Sequence, residues 1–450
     1  MRRDRSGNLP AQLLRTLKVR IYPAPEQDNG TRLAAQISVE GLLAAIVLNL
    51  ATVFTAMFAT RLGADSSQIG LLASLPQWAG LAILIPGTIL AGRFHHSRRP
   101  VETSLLATGF LYGLAGLAPY MGEYRIWYLM AMVALANAPM SLYNTTWQNY
   151  FSDVVPVNNR NSLYTLRTSM TFAAGIIIVQ VTGLLLNQAA SETARIHLYQ
   201  GCYFLAFAFS ILQWLVIRQS PDIVTEDNHI RLRQVKNAVK DIVNNRRFLV
   251  FIGISFLFHI GWYMAWPLFL LLQVNYMGAN EAWLSYVLVS ASLLQWATVR
   301  HWGRFIEKHG VRLTIVIGAA GLTVNPLFAM LSSYLPTDWR MPGMLVFNLV
   351  NAATFSAFQL SLLQCLLEVL PRKNKQLNLS FYTALLIFSN ALMQWFGVVF
   401  YVRLGDSHSA MTISLVTSSL IRLVGTLLFF WRWFHLRHEP DAGIRFDLRP

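Results

Sequence analysis

The chain has 450 residues, 54% hydrophobic and 13% charged, and a formal net charge of +15. A soluble domain averages about 25% charged residues, so this chain lacks the charge to coat the two or three domains that its length would otherwise make. Cys202 and Cys365 both fall in apolar stretches, which excludes a disulfide framework, and no set of residues has metal-ligand spacing.

Residues 1–36 are basic, contain Pro23 and Pro25 and have no apolar core, so they read as a tail rather than a cleavable signal. From residue 37 the chain holds twelve stretches near the roughly 20 apolar residues that a spanning helix needs. The first six are 37–60, 68–92, 101–120, 126–150, 163–187 and 197–217, a unit of residues 37–217. A polar segment, 218–246, follows. Within it Ile230, Val235, Val239 and Ile242 have helical spacing, which fits either a short amphipathic helix on a membrane surface or a solvated linker helix. The last six spans are 247–274, 282–302, 312–335, 342–367, 377–403 and 410–434, a second unit of residues 247–434, and 435–450 is a closing tail.

Basic residues orient these spans. Thirty of the 36 lysines and arginines fall in the tails, the even-numbered connections or the span ends that adjoin them. On the other side are Arg61, Arg125, Arg195, Arg340 and Arg403, and Arg422 falls within a span. Lysine and arginine collect on the cytoplasmic side of membrane proteins, so both termini are expected in the cytoplasm and the protein in the plasma (inner) membrane. The basicity serves orientation and lipid headgroups, and nucleic acid is not an expected partner.

The chain repeats itself weakly. "DVVPVNNR" (153–160) and "EVLPRKNK" (368–375) follow spans 4 and 10 at an offset of 215 residues. At the same offset Asn144 maps to Gln359, and at 214 Asn137 maps to Asn351. "SLPQWA" (74–79) matches "SLLQWA" (292–297) at 218. Several pairs near one offset, at equivalent places in the two units, mark a duplicated six-helix bundle. Parallel repeats about an axis along the membrane normal build one large class of transporters.

The residues that carry a family resemblance are now in view. "GRFIEKHGVR" (303–312) resembles the loop pattern G-x-x-x-D-R-x-G-x-R of the major facilitator superfamily, with Gly303, Glu307, Lys308, Gly310 and Arg312 in place. The acid-x6-base strings after spans 4 and 10 resemble that family too. So does the start Glu40-Gly41, Leu62-Gly63-Ala64 and Ile69 to Pro76, which is similar to bacterial members with no assigned substrate. The resemblance covers about residues 37–434. It implies an all-α membrane protein of twelve transmembrane helices in two pseudo-symmetric six-helix bundles, and a central path lined by spans 1, 4, 7 and 10. Two departures stand out. The first-half loop has Gly92, Arg93, His95 and His96 but no acid, and span 5 has Gly175 and Gly183 but no Gly-Pro pair, the motif associated with drug/proton antiporters.

Candidate functional residues follow. Asp153, Arg160, Glu368 and Lys375, with Arg93, Arg99, Arg304, Glu307 and Arg312, form a candidate cytoplasmic gate or, more simply, interfacial charges that cap helices. Exposed pairs contribute only about 0–1 kcal/mol, so a gate requires partial burial. Glu40, about one turn into span 1, is a candidate proton carrier, or a carboxylate near the headgroups that pairs with Arg32, Arg167 or the basic tail. His259, in span 7, is a second candidate for proton coupling; on its face lie Trp262 and Trp266. That face could line a cavity or pack against lipid. Asn49, Asn137, Asn144, Asn351, Gln359, Asn390 and Gln394 complete the expected cavity, because unsatisfied amides in hydrocarbon cost several kcal/mol; interhelical hydrogen bonding is the alternative. Arg422 reads as structural.

There is no nucleophile–base motif and no phosphate-binding glycine loop, so neither an enzyme nor a cofactor is expected. The expected function is a secondary active or facilitative transporter that moves a small solute by alternating access. Its partners would be the substrate and the bilayer, and its state a monomer. A non-transporting sensor or scaffold on the same fold is the alternative.

Overall fold

The computed structural model describes residues 27–91, 94, 96–224, 242, 244–371 and 375–437. Arg93 and most of the amphipathic stretch in the linker lie outside the described residues, and Lys375 is described by its backbone alone. In the first half the helices are α1 (Gln27–Thr52), α2 (Thr55–Arg61), α3 (Ser66–Ala91), α4 (Arg99–Ala115), α5 (Arg125–Val154), α6 (Val157–Asn187) and α7 (Glu192–Arg218). The second half has α8 (Arg246–Leu271), continued by a π-turn over Leu272–Tyr276, then α9 (Glu281–His309), α10 (Val311–Ser333), α11 (Thr337–Val369), α12 (Lys375–Arg403) and α13 (His408–Leu436). Taking α1 and α2 as one span, ten helical stretches are each long and apolar enough to cross a membrane. The 26-residue α3 and the 17-residue α4 bring the number among the described residues to twelve.

Local sequence sets where these helices start and stop. Ser191, Asn245, Asn280 and Ser407 each accept a hydrogen bond from a first-turn backbone N–H, satisfying a donor that the helix leaves free. Pro156 and Pro336 stand immediately before α6 and α11, where a missing N–H costs nothing. Gly310 joins α9 to α10 at φ 86°, a left-handed conformation that explains the glycine of the loop pattern. Several boundaries lie outside the expected spans: α7 begins at Glu192, α11 at Thr337, and α9 runs on to His309. α1 begins at Gln27 and α6 at Val157, earlier than spans 1 and 5, because polar first turns continue a helix that hydropathy alone does not register.

Packing repeats between the halves. In the first, α1 packs on α6 and α7, α3 and α4 on α5, and α4 on α7. In the second, α8 packs on α12 and α13, α9 and α10 on α11, and α10 on α13. Each of these contacts in one bundle thus has its counterpart in the other. The halves meet where α3 packs on α12 and α6 on α9.

Three apolar clusters fill the interior. One is confined to the first half and includes Trp147, Tyr150 and Phe151. One belongs to the second half and includes Phe251, Phe258, Phe358 and Phe429. The third joins both, from Phe58 and Tyr203 to Val398 and Tyr401. The start of α1 and the end of α13 share one face, here called the termini face; the joint cluster lies toward the opposite, far face.

Candidate functional site

In the first half, polar chemistry converges on Glu40. Because α1 starts at Gln27, this carboxylate lies deeper than one turn, and it is 1% exposed. Arg167 Nε donates to its Oε2 at 2.8 Å and Nη2 to its Oε1 at 3.4 Å. Gln213 Nε2 donates to Oε1 at 2.9 Å, and the Tyr143 hydroxyl donates to the same oxygen. The guanidinium of Arg167 lies 3.7 Å from the centre of the Trp147 ring, a cation–π contact. Arg167 lies within α6, so the pair is an acid and a base both carried by expected spans. A Cβ on Gly41 would meet Arg167 Cγ at 2.4 Å, so the Glu40-Gly41 dipeptide supplies the acid and also the gap across which its partner reaches. Beside Glu40, a crevice of about 10 Å³ is lined by Gln36, Trp147, Tyr150 and Ser220 among others, room for about one water.

The second half carries a neutral version of this site. At the 215-residue offset Glu40 maps to Ser255 and Arg167 to Tyr382, and Ser255 Oγ and Tyr382 Oη are 2.7 Å apart. One turn on, His259 is 2% exposed and its Nδ1 lies 2.7 Å from the Ser255 carbonyl. A carbonyl only accepts, so Nδ1 carries the hydrogen and Nε2 of the neutral ring is left as an acceptor. Trp262, Tyr263 and Phe358 surround the ring. Trp266 is 54% exposed, while Trp262 is buried.

The amides divide between helix seams and open surface. Asn49 Nδ2 bonds the Ala45 carbonyl in its own helix at 2.7 Å and faces Gly175 of α6. Asn137 donates to the Pro76 carbonyl and packs on Gly80, binding α5 to α3. Gln394 donates to Asn390 within α12. Asn351 Oδ1 is buried without a hydrogen-bond partner among the described residues. Asn144 and Gln359 are exposed.

The charges at the termini face pair within their own half. Arg312, 4% exposed, donates from Nε to Glu368 Oε1 at 2.9 Å and from Nη1 to the Leu436 carbonyl at 2.6 Å. Arg432 approaches the other oxygen of Glu368 at 3.4 Å. Arg160 donates to the carbonyls of Ser152 and Val155, closing the α5–α6 connection. Asp153, Arg99, Arg304 and Glu307 are exposed.

At the far face a charged contact crosses between the halves. Glu281, at the start of α9, is fully buried. Arg61 of α2 binds it bidentately, Nε to Oε1 at 3.0 Å and Nη2 to Oε2 at 3.1 Å, and the Tyr199 hydroxyl of α7 donates to Oε1 at 3.0 Å. On the α3–α12 side of the seam Ser66 donates to Asp406 at 3.3 Å and Ser74 to the Ala391 carbonyl at 2.6 Å. Trp78 meets Phe388 edge-on. Sequence reasoning missed Arg61 and Glu281. An acid in the first turn of a helix ordinarily serves the helix dipole, and no local signal links residues so far apart along the chain.

Arg422 is 1% exposed and lies between α8 and α10. Its Nη1 donates at 2.7 Å to the Leu322 carbonyl, which Pro326 leaves without its usual N–H partner.

The duplicated bundles, the embedded acid–base pair and the two-helix seams between halves define a polytopic helical membrane protein of the transporter type. Residues 39–259 match the family model for the Major Facilitator Superfamily. Solved structures extend the likeness over the whole length. A nucleoside transporter, NupG, is 14% identical with a TM-score of 0.65, over 89% of this chain and 99% of that one. The xylose transporter XylE from E. coli, in a partially occluded inward-open conformation, is 12% identical with a TM-score of 0.61, over 91% and 98%. A bacterial homolog of the human lysosomal transporter Spinster, inward-facing and occupied, is 10% identical with a TM-score of 0.65, over 91% and 97%. No curated protein matches the chain by sequence. The match to the Major Facilitator Superfamily model thus covers just under half of the chain, and the fold of these transporters is shared over about nine-tenths of it.

Proposed function

We propose that the protein carries a small solute across the plasma membrane by alternating access, with the termini face in the cytoplasm and the far face outside. The observation that carries this reading is the Arg61–Glu281 pair, its carboxylate fully buried and its arginine 26% exposed, beside the apolar cluster that joins the halves at the far face. A charge pair that ties the two bundles at one end of their seam is a latch for one state: closed outside, with the solute site reached from the cytoplasm. In the opposite state the latch would part, and the charges at the termini face, Arg93, Arg99, Asp153, Arg160, Arg304, Glu307, Arg312, Glu368 and Lys375, would exchange partners to close the inner side. The solute would bind between the Glu40–Arg167 site and the His259–Trp262 wall, with Asn49, Asn137, Asn144, Trp266, Asn351, Gln359, Asn390 and Gln394 contributing as the halves rock. Glu40 and His259 are the groups we assign to proton coupling.

The test uses the purified protein in sealed vesicles. Cysteines at Arg61 and Glu281, in a Cys202→Ser, Cys365→Ser background, bridged by a bis-maleimide with a reducible disulfide spacer, should lose solute flux, and reduction of the spacer should restore it. Flux that persists through the cross-link would overturn alternating access at this seam. A folded protein that moves no solute would favour the sensor or scaffold reading instead.

A further inference from the structure

Resting on the transport reading, we propose that the solute carries an anionic oxygen group, a carboxylate or comparable oxyanion, which binds Arg167 while Glu40 takes up a proton. Three observations carry this. First, Glu40 does not depend on Arg167 alone, because Tyr143 and Gln213 also donate to it. Second, Arg167 has capacity to spare. Its Nε and Nη2 engage Glu40 and Tyr143, its Nη1 has no hydrogen bond among the described residues, and 14% of the side chain remains open. A planar guanidinium with an unused edge, held flat by Trp147, is shaped for a second oxyanion.

Third, the cluster is ready for a neutral Glu40. Gln213 Oε1 is buried without a hydrogen-bond partner. Turning the Gln213 amide over would present that oxygen as acceptor for a protonated Glu40, where its Nε2 now donates to the carboxylate. The charge balance gives the coupling. Glu40 and Arg167 together are neutral. An added anion alone would leave a net negative charge within the membrane, which is costly. One proton on Glu40 restores neutrality, so anion and proton would move together. The groups facing Glu40 are Tyr143 and Tyr150 from α5, Arg167 from α6 and Gln213 from α7; Arg167 is the cation among them. The crevice lined by Gln36, Tyr150 and Ser220 leaves room for about one water beside Glu40, apart from Arg167.

The experiment loads vesicles containing the full chain from a small-molecule extract of bacterial cells, under an inward proton gradient, and identifies what accumulates by mass spectrometry. Anionic solutes should accumulate, with acidification of the lumen read by a trapped pH dye. Arg167→Gln should cut that accumulation by about ten- to hundredfold, and Arg167→Lys should retain part of it. Glu40→Gln should uncouple it from the proton gradient. Thermal unfolding and size exclusion would establish that each variant is folded. Accumulation of neutral or cationic solutes alone would overturn this proposal and leave the transport reading standing. Accumulation of nothing by the folded wild type would remove both.

Discussion

Arg167 could reach Glu40 only because residue 41 is a glycine. A Cβ there would press on the arginine stem and also approach Thr171 Oγ1, which donates to the Gly41 carbonyl at 3.0 Å. Gly41→Ala should therefore lower stability by about 1–3 kcal/mol and displace the guanidinium; thermal unfolding measures the first effect. Arg422 makes a second argument at this scale. Arg422→Met should cost about 1–3 kcal/mol, because the Leu322 carbonyl would lose its donor in a dry interior. Pro326→Ala restores a backbone N–H to that carbonyl, so the double variant should recover much of the loss. A double-mutant cycle on thermal stability separates this from simple loss of packing; purely additive effects would contradict the pairing.

The seams between helices follow a rule that the repeat makes visible. Gly70 of α3 receives Val398 of α12, while Gly183 of α6 receives Ser285 of α9. At the 215-residue offset Gly70 maps to Ser285 and Gly183 to Val398. The two seams are therefore equivalent, with the glycine on opposite partners. A side chain at either glycine would hold the seam apart. Gly183→Val should favour the state open at the far face, because its Cβ would fall 2.5 Å from Ser285 Cβ. A cysteine at Ser74, 2% exposed in the neighbouring seam, should then react faster with a membrane-impermeant maleimide added outside. Unchanged labelling would show that the seam tolerates the extra methyls without opening.

For the whole molecule, the halves are similar in shape and different in chemistry. The first-half polar site pairs an acid with an arginine; its counterpart pairs a serine with a tyrosine. Duplication kept the geometry that links the first and fifth helices of each bundle, and the residue types then diverged. The embedded acid–base pair thus belongs to one wall, and transport coupled to it should depend far more on Glu40 than on Ser255. Across the far face, Glu281→Gln leaves Arg61 with only the exposed Glu192, 3.3 Å from its Nη1 and in the same half, as a charged partner among the described residues. That change should raise access from outside, while the exchange Arg61→Glu with Glu281→Arg should restore closure in part. Maleimide labelling at Ser74 reads both. Equal labelling in all three proteins would remove the latch from the account.

The sequence by itself determined the number of the spans, the two-bundle repeat and the family likeness. Each rests on properties that act locally: apolar length against bilayer thickness and short strings copied in register. It also singled out Glu40 and His259, since an ionisable group in an apolar run is conspicuous wherever the run folds. Only the tertiary structure decided which charges meet. Arg167 joins Glu40, Glu368 stays within its own half on Arg312, and Arg61 crosses to Glu281. The reason is physical: the strength of a charge pair depends on distance and on exclusion of water, and packing sets both among residues far apart along the chain.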